Sequence, residues 1–348
     1  MRPGYFVSLL MDALSFGYMN LFHRSDTAPS SPESIDDYIR RNRAGDPRKF
    51  FSCPGGVPDL RITGTIAMPG FEIHDFQFPS SVITGHDRND VVRGRVYEKR
   101  TCGGRPFVIL LHGWRMESHL AFDRFARLFM KAGYNSLLLD LPYHMRRTPP
   151  RAFSGEYSFS TNALRTLEAL RQSVLDVRSA LNWLKVRGVP RVGVFGVSLG
   201  GLLAGLVTCV EDRLDFSVLV VPGTDVAEMF RKSRLGRMFQ RENPEAGYMI
   251  EKYGDYLRTV SLPSLKPLVP VSRVLIIEAI YDRFVPRELV ERLWDAWGRP
   301  PILRYPHGHL SVIALNPKLD GDLKKFLVRM RSGTGAAEGR KGEGRGKR

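Results

Sequence analysis

From residue 106 onward the chain alternates between two kinds of apolar segment. Residues 107–111, 135–140, 192–195, 216–221, 274–279 and 301–305 are short and nearly continuous in apolar side chains, the pattern of strands buried on both faces. Between them, residues 120–132, 163–186, 199–210, 286–297 and 319–329 carry apolar positions at helical spacing. Regular strand-and-helix alternation predicts a mostly parallel, doubly wound sheet with helices on both faces. Upstream, residues 71–80 and 91–98 alternate at a period of two around the polar connection 85–90, which predicts an antiparallel hairpin. Residues 222–271 break the rhythm with short helices predicted at 226–230 and 246–258 and prolines at Pro263, Pro267 and Pro270. Placed after the sixth predicted strand, that insertion is expected to form a helical cap over the carboxyl edge of the sheet.

The ends read differently. Residues 1–24 are expected to form an amphipathic helix that packs on the body or contacts an anionic membrane surface. Asp12 interrupts the apolar run, and neither a basic start nor a small-residue cleavage site marks a signal peptide. A further helix is predicted within residues 32–42, and the Gly-rich charged tail 332–348 reads as disordered. The expected division is an N-terminal extension over 1–70, one domain over 71–331 with its cap at 222–271, and the tail.

Composition adds limits. The formal net charge is +16, and the five basic and two acidic residues of 332–348 account for +3 of it, leaving +13 on the body. Arginine clusters such as Arg40-Arg41-Asn42-Arg43 and Arg146-Arg147 suit phosphate or anionic surfaces, or form a solvated basic face. No nucleic-acid-binding motif accompanies them, so nucleic acid is not an expected partner. The three cysteines, Cys53, Cys102 and Cys209, are scattered and point to a reducing, cytoplasmic setting; no metal-ligand spacing appears and no cofactor is expected.

The candidate chemistry centres on Gly196-Val197-Ser198-Leu199-Gly200, a G-x-S-x-G motif that follows an apolar strand and opens an apolar helix. A serine on such a turn is exposed at the helix N-terminus, where backbone N–H groups favour developing negative charge. A serine needs a base, and the base an orienting acid. Asp282 lies just past the strand at 274–279 and His309 just past the last strand, so Ser198, Asp282 and His309 all stand at carboxyl ends of strands, where a doubly wound sheet brings such loops together. His307 competes as base, but Gly308 before His309 frees the backbone to aim the His309 ring; Glu278 is the weaker acid because it lies within its strand. Leu110-Leu111-His112-Gly113-Trp114 ends another strand, and the N–H groups of Trp114 and Leu199 are candidate oxyanion donors, with His112 bracing the loop. His74, His86, His119 and His144 show no partner pattern.

On Leu111-His112-Gly113, Gly196 to Gly201, Asp282 and Gly308-His309, residues 106–330 resemble the α/β-hydrolase superfamily. Pro142-Tyr143, Asp282 to Pro286 and Gly308 to Ser311 are similar to the alpha/beta hydrolase domain-containing protein 18 group. The resemblance implies an α/β-hydrolase fold and serine-hydrolase chemistry on a carboxylic ester, a lipid acyl ester among the candidates. Cleavage of an amide by the same triad and a non-catalytic binding role are the other readings.

Overall fold

The computed structural model describes residues 3–22, 32–43, 45–53, 56–99 and 104–332. The chain starts with α1 (Pro3–Phe22), α2 (Pro32–Asn42) and the single turn α3 (Pro47–Phe50). Three antiparallel strands follow, β1 (Arg61–Met68), β2 (Phe71–Pro79) and β3 (Val91–Glu98). Then come β4 (Phe107–Leu111), α4 (Leu120–Lys131), β5 (Asn135–Leu139), α5 (Ala163–Val186), β6 (Val192–Val197), α6 (Leu199–Val210) and β7 (Leu214–Val220). The cap contains α7 (Val226–Lys232), α8 (Arg234–Glu242), α9 (Glu245–Lys252) and α10 (Gly254–Leu257). The chain closes through β8 (Val274–Ala279), α11 (Arg287–Ala296), β9 (Ile302–Tyr305), α12 (Ser311–Ala314) and α13 (Leu319–Ser332).

One nine-stranded sheet runs in the order β1-β2-β3-β5-β4-β6-β7-β8-β9, and the strands from β5 to β9 pair in parallel. Every residue of β4, β5, β6 and β8 is buried, because helices cover both faces. Alternate side chains feed two separate cores. Ile109, Leu111, Leu137, Leu139 and Val194 pack on the side of α5 and α6, while Val108, Leu110, Leu138, Phe195 and Val197 pack with α4 and α13.

The expected sheet, hairpin and flanking helices are present, with three differences. The hairpin gains the edge strand β1, whose side chains are mostly exposed; its alternation carries too little apolar weight to stand out. Counting β1, the cap follows the seventh strand. The helix expected over 246–258 is divided between α9 and α10, with glycine at position 254 starting the second, and α8 lies between the two predicted cap helices. Its burial of only Leu235, Gly236 and Phe239 leaves a thin apolar stripe in a charged segment. Residues 333–348 and Cys102 lie outside the described residues.

The basic run Arg146-Arg147 is not a surface patch. Arg147 is fully buried, with a 2.8 Å ion pair to Asp176 and bonds to the Asn89 and Asp140 carbonyls. Arg146 pairs with Asp140 at 2.8 Å and Asp75 at 2.9 Å. Arg147 is thus matched inside the fold, as a buried guanidinium must be, while the partly exposed Arg146 is tied to two carboxylates.

Candidate active site

The turn from β6 into α6 places Ser198 at the end of the most central strands. Its backbone sits at φ 57°, ψ −113°, a conformation rarely held by an L-residue. Neighbours enforce it: Ser198 N–H donates to the Val220 carbonyl at 2.9 Å, and its own carbonyl accepts from Leu202 at 3.0 Å and Gly223 at 3.1 Å. The flanking glycines are required by packing. A Cβ on Gly196 would collide with the Gly200 carbonyl, and one on Gly200 with the carbonyl oxygens of Leu111 and His112. The motif's glycines therefore let strand, turn and helix close on one another.

Two loops from the far end of the chain converge on this serine. His309 Nε2 lies 2.9 Å from Ser198 Oγ, and His309 Nδ1 lies 2.7 Å from Asp282 Oδ2. The remaining Asp282 oxygen accepts the N–H groups of Phe284 at 2.7 Å and Val285 at 2.9 Å, which fixes the carboxylate toward the imidazole. With Nδ1–H donating to Asp282, Nε2 is left to accept the serine proton. Burial disfavours charge on His309, but the Asp282 carboxylate outweighs it and raises its pKa above the ordinary histidine value. Hydroxyl, imidazole and carboxylate thus stand in series, an arrangement that can generate a nucleophilic oxygen.

A third carboxylate braces the same loop from the other end of the sequence. Asp12 on α1 is fully buried. Its Oδ2 accepts the N–H of His309 at 3.1 Å and of Arg283 at 3.3 Å, and its Oδ1 accepts that of Leu310 at 3.3 Å. One helix turn earlier, Ser8 Oγ lies 2.9 Å from Ser311 Oγ. Gly308 makes room for this: a Cβ there would lie 2.8 Å from Asp12 Oδ2. Phe16, one turn after Asp12, stacks on Phe284 at 4.0 Å, and Phe284 stacks on the His309 ring at 4.8 Å.

Beside Ser198 lies the loop after β4. Gly113 would bring a Cβ within 3.6 Å of the Ser198 Cβ, and Trp114 follows it. Two buried histidines hold this loop. His112 Nδ1 lies 2.8 Å from the Gly113 carbonyl while its Nε2 accepts from the Leu141 N–H at 3.0 Å. His144 Nδ1 lies 2.8 Å from the Pro142 carbonyl, and its Nε2 accepts the Arg115 N–H at 3.3 Å. Both rings are thereby fixed as neutral tautomers protonated on Nδ1, and burial pushes the His112 pKa down to about 4. Serine and histidine open into a cavity of about 330 Å³. Its walls are apolar, with Trp114, Phe159 and Leu202 from the body, Met229 and Leu235 from the cap, and Tyr18 and Met19 from α1.

The family model described as "Alpha/beta hydrolase family" matches residues 108–320, more than half of the chain. The chain belongs to the alpha/beta hydrolase family. Among curated proteins, two uncharacterized proteins of Mycobacterium tuberculosis, from strains CDC 1551 and H37Rv, are each 34% identical over 222 residues. That match covers 61% of this chain and 52% of each relative, so the chain spans about half the length of these relatives. Among solved structures, acetyl xylan esterase 1 from Thermoanaerobacterium sp. JW/SL YS485 superposes with a TM-score of 0.62 at 18% identity, covering 87% of this chain and 95% of that one. An acetyl xylan esterase from Paenibacillus sp. R4 gives 0.59 at 15% identity, over 86% and 95%. At such identities the two structures speak for the fold alone.

In this alpha/beta hydrolase the expected site residues are placed unequally. Ser198, Asp282 and His309 are brought together. His307 is not part of the group; its backbone pairs with Tyr281 and Tyr305. Glu278 is buried in β8, where it bonds Arg287 at 3.1 Å and Arg304 at 2.7 Å, away from the imidazole. Gly308 matters through the space it leaves for Asp12, and its backbone has no positive φ to exploit. His119, which shows no partner in the sequence pattern, pairs with Asp140 at 2.6 Å, and His144 joins His112 in holding the loop. Asp12 is the residue that sequence reasoning missed. The one signal for it is a lone carboxylate in an otherwise uncharged stretch, which has to be buried or functional to persist there.

Proposed function

We propose that this alpha/beta hydrolase is a serine hydrolase that cleaves carboxylic esters, with an acyl chain seated in the apolar cavity. The observation that carries the reading is the Ser198–His309–Asp282 relay, closed at 2.9 and 2.7 Å and opening directly into that cavity. Ser198 Oγ attacks the carbonyl carbon as His309 Nε2 takes its proton. The carbonyl oxygen becomes an oxyanion facing the N–H groups of Leu199 and Trp114. The intermediate collapses to an acyl-serine, and His309 returns the proton to the leaving alcohol. Water, deprotonated by the same nitrogen, then attacks the acyl-serine and releases the acid. Asp282 holds the tautomer and stabilises the imidazolium.

Ester cleavage is the activity named for two solved proteins of this fold, the acetyl xylan esterases, and it is carried over here as a proposal; the apolar lining supports an acyl group over a sugar as the occupant. The resemblance to the domain-containing protein 18 group points the same way, to a lipid acyl ester. The test is a p-nitrophenyl ester series of increasing chain length, beside the matching anilide, together with fluorophosphonate labelling. Ser198→Ala is expected to abolish turnover and labelling while the fold persists, and medium acyl chains are expected to give a higher kcat/KM than acetate. Labelling that survives Ser198→Ala would refute the nucleophile. Faster anilide than ester cleavage would make the enzyme an amidase, and a wild-type protein that neither labels nor turns over would make it a binding protein.

A further inference from the structure

α1 is apolar on its outer face, while its buried positions mix Phe16 and Met19 with the polar Ser8 and Asp12. On a helix packed at a protein surface, apolar positions turn inward and polar ones outward. Here the buried positions include Ser8 and Asp12, both bonded to the catalytic loop. Among the described side chains of α1, the exposed ones are all apolar, aromatic or glycine. Phe6, Leu10, Leu14 and Tyr18 are 62%, 47%, 65% and 57% exposed and recur at four-residue spacing along one outer stripe.

We propose that this outer face of α1 docks the enzyme on an anionic phospholipid surface and passes an acyl ester from that surface into the cavity. The inference rests on the hydrolase reading above. Three observations select a lipid surface as the occupant. First, Tyr18 belongs both to the exposed stripe and to the cavity lining, so the apolar path from outside to Ser198 is continuous. Second, cations lie beside the helix: the Arg234 guanidinium lies 5.7 Å over the Phe16 ring, Arg283 donates its backbone N–H to Asp12, and Arg115 lines the cavity. The charge of +16 on the whole chain adds long-range attraction to anionic headgroups. Third, the stripe is small. From Phe6 to Tyr18 it runs roughly 18 Å and is roughly 10 Å wide, about a quarter of the ~800 Å² that each partner of a stable dimer buries. A helix lying in a headgroup layer needs no larger area, because its apolar side chains enter the acyl boundary.

The test uses the full chain and vesicles of phosphatidylcholine with or without phosphatidylglycerol, in flotation at low and high salt. Leu10→Glu/Leu14→Glu alters only exposed positions outside the catalytic machinery. Wild type is expected to float with the anionic vesicles, at least about tenfold more than with the neutral ones and less at high salt; the double variant is expected to lose about tenfold or more in partitioning. Hydrolysis of dissolved p-nitrophenyl acetate and fluorophosphonate labelling are expected to stay at wild-type levels in the variant, while hydrolysis of a vesicle-borne ester falls with partitioning. Equal flotation of wild type and variant, or none of either with labelling intact, would overturn the docking proposal and leave the hydrolase reading standing. A dimer in light scattering that the two glutamates dissolve, without vesicle binding, would overturn it in favour of a second copy of the chain. Loss of labelling in the wild type would instead strike the hydrolase reading.

Discussion

Replacing Asp12 by asparagine separates what this carboxylate does for activity from what it costs in stability. The charge is buried and receives three backbone N–H bonds of 3.1 to 3.3 Å. Burial nevertheless raises its pKa above the ordinary carboxylate value, and the amide bonds from His309 and Leu310 offset only part of that. A raised carboxyl pKa means that the ionised form is held at a cost, which is fully present at neutral pH and disappears as pH falls through the folded-state pKa. A neutral asparagine side chain carries no such cost, so Tm is expected to hold or rise. The amide can accept fewer of the three donors and without charge assistance, a weakening of about 1 kcal/mol per bond. The loop that carries His309 then loosens, and even a shift of about 1 Å at a reacting group costs on the order of 10²-fold. Asp12 also favours the imidazolium of His309, so its neutralisation moves the ascending limb of the pH profile to lower pH. The expected result for Asp12→Asn is a fall of roughly ten- to a hundredfold in kcat/KM, a shifted limb and an unimpaired melting temperature. Asp12→Ala orphans the donors and is expected to lose about 3 kcal/mol as well. Wild-type kcat/KM with an unmoved limb in Asp12→Asn would refute the positioning role.

Gly308→Ala sets a Cβ 2.8 Å from Asp12 Oδ2; kcat/KM is expected to fall about tenfold or more, and much less in an Asp12→Ala background, as a double-mutant cycle will show. Because Asp282 raises the His309 pKa and the base must be neutral, kcat/KM is expected to rise with pH along a limb whose apparent pKa exceeds the 6.5 of free histidine. His112 titrates at about 4 in the fold, below its unfolded value of about 6.5. The unfolded state therefore binds the proton first, and stability is expected to decline by about 3 kcal/mol as pH drops between those values. Urea melts at pH 7 and pH 4.5, compared with His112→Gln, check the slope that belongs to this residue.

What could be read from the sequence was local. The central strands announce themselves because both faces are buried, so Phe107–Leu111 and Val192–Val197 carry no polar side chain. The turn that carries Ser198 is legible because its glycines answer a steric constraint that a short motif can record: Gly196 faces the Gly200 carbonyl, and Gly200 the carbonyls of Leu111 and His112. Asp282 and His309 follow from topology, since a parallel sheet delivers the ends of β8 and β9 to the same edge as the end of β6. The buried partners of Arg146 and Arg147 were not legible, because an arginine pair spells the same thing whether it faces solvent or Asp140 and Asp176.

Asp12 marks the deeper limit. Its bonds reach residues 271 to 298 positions away, so no window of sequence contains both ends of the contact. Periodicity over residues 1–24 does predict an amphipathic helix, but it cannot assign the inward face. The usual assumption, apolar inward, turns Asp12 into an interruption on the solvent side. In the structure Asp12 and Ser8 face inward together with Phe16 and Met19, and meet the N–H groups and the hydroxyl of the His309 loop. A surface that steadies α1 from outside would also hold Asp12 against the His309 loop, which would link the outer face to that loop through one helix. Glutamates at Leu10 and Leu14 and asparagine at Asp12 probe opposite faces of that helix. If the linkage holds, vesicles will raise turnover of a dissolved ester in the wild type and leave both variants unchanged.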